Sequence, residues 1–197
     1  MKRTLVIGLL CCAAPGLSSA GAGASAPATG SAPGRTIEWA GDQVTRIGAL
    51  RTSPSRTRPP TVARAVAAFG KPSSRKRTSN VSCLVRWDKI GLRGNFVNLG
   101  QAGVGRSACA DAVGLLQTAT ITGKSFRTPR GLHIGDTTTK LKTLHPGATF
   151  QDGAWWLATA PAVIGDVQAE QRIWVVRALS QAGVVQRFNV RVGAAGD

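Results

Sequence analysis

The sequence predicts an α+β fold built as two tandem repeats, each a short helix packed on an antiparallel sheet. Three observations lead there. Two short segments carry apolar residues at helical spacing, each stopped by Gly and Pro. Runs of alternating apolar and polar residues follow each segment, and the same order recurs in the two halves of the chain. The 197 residues allow one domain or two small ones. An apolar share of 43% with five Trp is too high for a wholly disordered chain, despite a formal charge of +16.

The first 20 residues read as an export signal. Lys2 and Arg3 form a positive start, and Leu5 to Ala14 an apolar run too short for a membrane span. Ser18-Ser19-Ala20 places small residues before a cleavage point after Ala20, with Ala22 and Ala26 as alternatives. Residues 21–35, mostly Gly, Ala, Ser and Pro, read as a flexible tether. A secreted or cell-envelope location follows. Cys11 and Cys12 leave with the signal, so Cys83 and Cys109 permit one pairing. In an oxidising compartment a disulfide is expected, with two free thiols as the alternative. Neither Cys belongs to a CxxC pair, and His133 and His145 have no ligand cluster around them, so neither a metal nor another cofactor is expected.

The first repeat is expected over 36–122. Ordered structure starts near Thr36, where Ile37 and Trp39 appear, and Arg51 to Pro60 reads as a basic exposed loop. Thr61 caps a helix with Val62, Ala65, Val66 and Phe69 at helical spacing, and Gly70-Lys71-Pro72 stops it. Three strands follow. Ser82 to Trp87 has Cys83, Val85 and Trp87 on one face. Leu92 to Leu99 is the second. Leu115 to Thr122 is the third, with Leu115, Ala119 and Ile121 on one face and Leu116, Thr118 and Thr120 on the other. The cysteines tie the first strand to the segment leading into the third.

The second repeat is expected over 123–197. Thr137 to Leu144 is a short helix stopped by His145-Pro146-Gly147, and Phe150 sits in a short strand. Trp155 to Ala158, Arg172 to Leu179 and Val184 to Val192 are further strands. In the last, Val184, Phe188, Val190 and Val192 share one face, and Val185, Arg187, Asn189 and Arg191 the other.

Ile134-Gly135-Asp136-Thr137-Thr138, followed by Leu141, Leu144 and Pro146-Gly147, is similar to the opening motif of BamE/SmpA-like domains, small exported α+β modules. Two such modules in tandem resemble the β-lactamase-inhibitory proteins of actinobacteria, whose sheets together form a concave protein-binding surface. The resemblance covers about residues 44–195. It departs at Asp136, where the motif has Met, and in the lack of Cys in the second half. The resemblance implies the fold and a protein partner, and transfers no contact residue.

Charge is uneven. From Arg35 to Arg106 there are 14 basic and 3 acidic residues, and from Ser107 to Asp197 there are 9 and 6. Such a field suits an acidic partner or an anionic surface. Adjacent strand residues point oppositely, so one of Trp155 and Trp156 can be core and the other an interface anchor. Trp174 joins them without an assigned face, whereas Trp87 belongs to the core. Arg86 falls opposite Trp87, and Arg187 and Arg191 fall opposite Phe188 and Val190, which makes the open side of the sheet basic. Arg75, Lys76 and Arg77 form a separate cluster suited to an anionic polymer or lipid headgroups. No catalytic motif stands out among nine acids, and export argues against nucleic acid as the ligand. The expected function is therefore non-enzymatic binding of an extracellular or envelope protein through the open sheet face. Electrostatic binding of cell-wall polymer or lipid by the basic N-terminal half is the alternative.

Overall fold

The computed structural model describes residues 35–53, 59–98, 100, 105–164 and 167–192, with the side chains of 162–171 outside that description. The expected signal, nearly all of the expected tether, and Arg56 and Arg58 also fall outside it. All described residues belong to one unit, Ala32–Asp197.

In chain order the elements are β1 (Arg35–Ala40), β2 (Gln43–Ile47), β3 (Leu50–Arg51), α1 (Val62–Phe69), β4 (Ser74–Arg77) and β5 (Ser82–Trp87). A 3-10 turn (Asp88–Ile90) leads to β6 (Leu92–Val97), β7 (Leu115–Ile121), β8 (Phe126–Arg127) and α2 (Thr138–Leu144). β9 (Thr149–Gln151), β10 (Ala154–Ile164), β11 (Val167–Gln181) and β12 (Val184–Arg191) complete the described chain. Eight strands form one antiparallel sheet in the order β4-β5-β6-β7-β12-β11-β10-β9. Four form a smaller sheet in the order β3-β2-β1-β8, where β1 and β8 run parallel.

This overturns the expected pair of helix-on-sheet repeats. The described chain is mostly β, and its two helices have eight and seven residues. The strands of the two halves are not separate sheets. β7 and β12 pair from Phe188↔Ile121 to Arg191↔Thr118 and fuse them into one. The physical reason is coverage. An eight-residue helix is about 12 Å long, whereas eight strands span roughly 34 Å. The apolar face left over is covered by the second sheet, built mainly from the segment after Thr36, for which the sequence reading expected ordered structure but named no strand. Ile37, Val44, Ile47 and Leu50 of β1–β3 are buried in the same cluster as Val85, Phe96 and Phe188 of the large sheet.

Local signals explain the helices. Thr61 caps α1, its hydroxyl accepting the Arg64 N–H at 3.4 Å, and Thr137 caps α2 by accepting from Lys140 N at 3.2 Å. Gly70 ends α1 with φ +83, a backbone state that favours glycine. Trp87 is core, as its alternation implied. Its indole donates to Gly70 O at 2.8 Å and its ring meets Phe69 edge-on. Cys83 in β5 and Cys109 ahead of β7 form the disulfide.

Two expected face assignments are corrected by bulges. Phe96 pairs with Leu116 and Asn95 with Thr118, so Gln117 is an extra residue and Leu116, not Leu115, joins Ala119 and Ile121 in the core. Leu179 pairs with Arg187 and Ser180 with Val185, so Gln186 is extra and Val185, not Val184, faces inward.

Candidate functional site

Both helices and the smaller sheet lie on one side of the large sheet. The opposite side is set by register, because directly paired residues share a face. One row runs through Thr149, Trp156, Arg177, Asn189, Thr120, Arg93, Arg86 and Ser74, each paired with the next. The adjoining row holds Arg191, Thr118, Asn95, Leu84 and Lys76. Arg187, two residues from Asn189, points the same way.

Seven cations therefore face one side among the described residues: Lys76, Arg86, Arg93, Arg172, Arg177, Arg187 and Arg191. Among the described residues, only Arg86 has an acidic partner, with its Nε 3.2 Å from Asp88 Oδ1. The other ion pairs join Arg46 to Glu38, Arg75 to Asp111 and Lys140 to Asp136, all away from this face.

The face is most built around Trp174. Strict alternation would put residues 174 and 177 on opposite sides. Val175 is an extra residue in β11, since Val176 pairs with Ala158 and Trp174 with Thr159. The bulge turns Trp174 to the side of Arg177. The Arg177 and Arg191 guanidiniums lie over the Trp174 ring, 4.1 and 4.5 Å from its centroid. Beside them three polar atoms are buried without a hydrogen-bond partner: Trp156 Nε1, Arg177 Nε and Asn189 Oδ1. These are consecutive residues of the central row. Burial pushes the Arg177 pKa down, and repulsion from Arg191 and Arg187 adds to it, while Asp152 opposes the shift from the β9–β10 turn. A groove lined by Thr149, Gln151, Asp152, Trp156, Thr159 and Arg172 opens next to the row.

Of the residues expected from sequence, Trp156, Trp174, Arg86, Arg187 and Arg191 share this face. Trp155 does not. It pairs with fully buried Ala178 on the helix side, its ring 5.2 Å from Phe150 with Lys142 Nζ over it at 5.1 Å. The polymer-binding cluster also fails to converge. Arg75, Lys76 and Arg77 form edge strand β4, so alternation turns Lys76 away from the other two. Arg75 is held by Asp111 at 2.6 Å, and Arg77 by Ser79 O and Asn80. Sequence reading gave no role to Arg93, Arg177 or Asn189, although it placed Asn189 on the face of Arg187 and Arg191. Arg93 was legible in the alternation of β6 and Arg177 in its place between inward Val176 and Ala178, whereas the position of Trp174 beside Arg177 depended on the bulge.

The two histidines lie apart from this face, one in the turn before α2 and one at its end. Asp136 accepts from the His133 backbone N–H at 2.7 Å and from Lys140 Nζ at 2.8 Å. Burial raises the Asp136 pKa, but these donors outweigh it and hold the carboxyl below its ordinary value. His145 Nε2 lies 2.9 Å from Thr128 Oγ1, and its ring stacks on Trp39. Burial, with help from Arg130, pushes its pKa down. No described cluster of His, Cys, Asp or Glu could hold a metal. No described helix is long and apolar enough to cross a membrane.

No family model matches the chain, no curated protein matches its sequence, and no solved structure matches its fold.

Proposed function

We propose that this is an exported, non-enzymatic binding protein that engages an acidic extracellular or envelope protein through the open face of its eight-stranded sheet. One observation carries the reading: among the described residues, seven cations share that face, and one of them, Arg86, is paired to an acid. A sheet face evolved only for solvation mixes both signs of charge. Here Arg86 and Arg93 lie directly opposite one another, a like-charge pairing that destabilises a sheet. Half-buried Trp174 within the basic field supplies an aromatic anchor of the kind protein interfaces favour. The β4 cluster supports an anionic polymer less well, because two of its three side chains are already engaged.

Co-sedimentation of the purified protein with isolated cell envelopes across a salt series tests this. The expected binding is saturable, abolished by protease treatment of the envelopes, and lost in Arg93→Glu/Arg187→Glu. Protease-resistant binding that collapses with salt and responds equally to Arg75→Glu/Arg77→Glu would transfer the function to a polymer or lipid surface.

A further inference from the structure

We propose that Trp174, Arg177 and Arg191, together with Trp156 and Asn189, form a seat for one carboxylate side chain, an aspartate or glutamate projecting from the protein partner. The inference rests on the open-face reading above and adds the chemistry of its central contact.

Four features lead to it. First, the two guanidiniums converge on one ring. Each lies over the Trp174 ring, 4.1 and 4.5 Å from its centroid, which leaves guanidinium edges to donate. A carboxylate takes two parallel N–H bonds from such an edge. Second, the cluster is electrostatically incomplete. Arg177 has Arg191 and Arg187 as charged neighbours and makes no ion pair with Asp152. A bound negative charge relieves that repulsion.

Third, the unpaired polar atoms are concentrated at this spot. Trp156 is 7% exposed and its indole N–H has no acceptor; Arg177 Nε beside it also lacks one. A buried donor without a partner is costly and native proteins hold few of them. A half-turn of the Asn189 amide exchanges its unpaired oxygen for N–H donors. A small shift of Arg177 toward an incoming carboxylate opens all three groups to it.

Fourth, the site suits a carboxylate better than a phosphate. Phosphate sites draw on backbone N–H groups at helix N-termini or glycine-rich turns. In the middle of a sheet those groups are consumed by the ladder, as Arg177 and Asn189 are by their cross-strand pairing. Only side-chain donors remain, in the planar arrangement that a carboxylate matches.

The test uses the purified protein with an N-acetylated, C-amidated hexaglutamate peptide. Hexaglutamine and inorganic polyphosphate serve as controls. Nitrogen-15 NMR of the arginine Nε–H groups reads the site without any substitution. Hexaglutamate is expected to shift Arg177 and Arg191, to leave Arg86 and Arg93 nearly unmoved, and hexaglutamine to shift none. In binding titrations at constant salt, Arg177→Lys and Arg191→Lys should each weaken hexaglutamate by about tenfold, because lysine keeps the charge and loses the fork. Arg93→Lys should change it by less than about twofold. Uniform shifts of all four arginines, or lysine variants that bind as the parent does, would overturn the seat. So would polyphosphate binding that exceeds hexaglutamate binding. In each case the open-face reading stands if Arg93→Glu/Arg187→Glu still releases the protein from envelopes. If that pair also leaves envelope binding intact, both readings fall.

Discussion

Replacing Arg177 with Met should make the protein more stable and its partner binding weaker. Arg177 contributes an Nε that is buried without an acceptor. Such a group costs about 1–3 kcal/mol. Its charge also sits beside Arg191 and Arg187. Methionine has a similar unbranched stem, so the packing along β11 is largely kept. What is lost is the guanidinium contact with Trp174, worth about 0.5–1 kcal/mol at a half-buried position. The net gain is about 1 kcal/mol, or roughly 2–4 °C in Tm for a domain of this size. Thermal unfolding followed by circular dichroism reads this directly, alongside envelope co-sedimentation of the same preparation. A fall in Tm of similar size would mean that Arg177 already has its partner within the fold, and the reasoning about an incomplete site would fail. A rise in Tm with unchanged binding would leave the site incomplete but unused.

Three further outcomes follow from the fold. Replacing Cys83 with Ala and Cys109 with Ser removes a link across 26 residues. The chain-entropy relation gives a loss of about 3.5 kcal/mol, or roughly 7–14 °C in Tm, and a smaller fall would show that the loop stays ordered without its bridge. Gly91→Ala places a Cβ at φ +62 and against the backbone N of Gly123. Positive φ and backbone overlap together should cost at least about 2 kcal/mol, measured by urea denaturation, and a neutral effect would mean that the turn after β5 is freer than its contacts imply. His145 binds its proton less readily in the fold than in the unfolded chain. Stability from this residue is therefore complete above about pH 6.5 and declines as pH falls below it, because the unfolded state takes up the proton first. His145→Gln should flatten the dependence of unfolding free energy on pH just below 6.5, and an unchanged slope there would assign it to other groups.

The open face was partly legible because alternation needs only a period of two. Arg86 opposite Trp87, and Arg187 and Arg191 opposite Phe188 and Val190, follow from β5 and β12 alone. The failures share one physical origin. Each bulge adds a residue and inverts the faces beyond it, so Leu115 and Val184 were assigned inward where Leu116 and Val185 lie. The bulge at Val175 hid the pairing of Trp174 with Arg177 in the same way. β4 gave no strand signal at all. Its four residues, Ser74 to Arg77, are all exposed and polar, and pairing along the edge of β5 makes them a strand. The smaller sheet was missed because β1 joins β8 in parallel across about 90 residues, a contact that no local pattern encodes. The recurrence of helix and strands was visible in sequence, but the pairing of β7 with β12 that merges the halves was not.

The distribution of acids gives the open face its meaning. With nine acids against 25 bases, this chain cannot neutralise every cation, so the positions of the acids matter. Among the described residues, Glu38 pairs in the small sheet, Asp111 ties the disulfide loop to Arg75, and Asp136 caps the turn before α2. Asp88 forms the one described ion pair on the basic face, at its margin, and Asp152 reaches toward Arg177 from the β9–β10 turn without pairing. Arg93, Arg177, Arg187 and Arg191 make no described ion pair. A sheet stabilised only for itself would place threonine or a carboxylate among them, since each unopposed pair weakens cross-strand contact. Two of these arginines are instead held over an indole by a bulge that also interrupts the ladder. Stability is thus reduced three times at one place: by like charge, by unpaired polar atoms and by a broken register. These costs coincide where the proposed function puts its contact, and an acidic partner would offset the first two by bringing the negative charge that this face lacks.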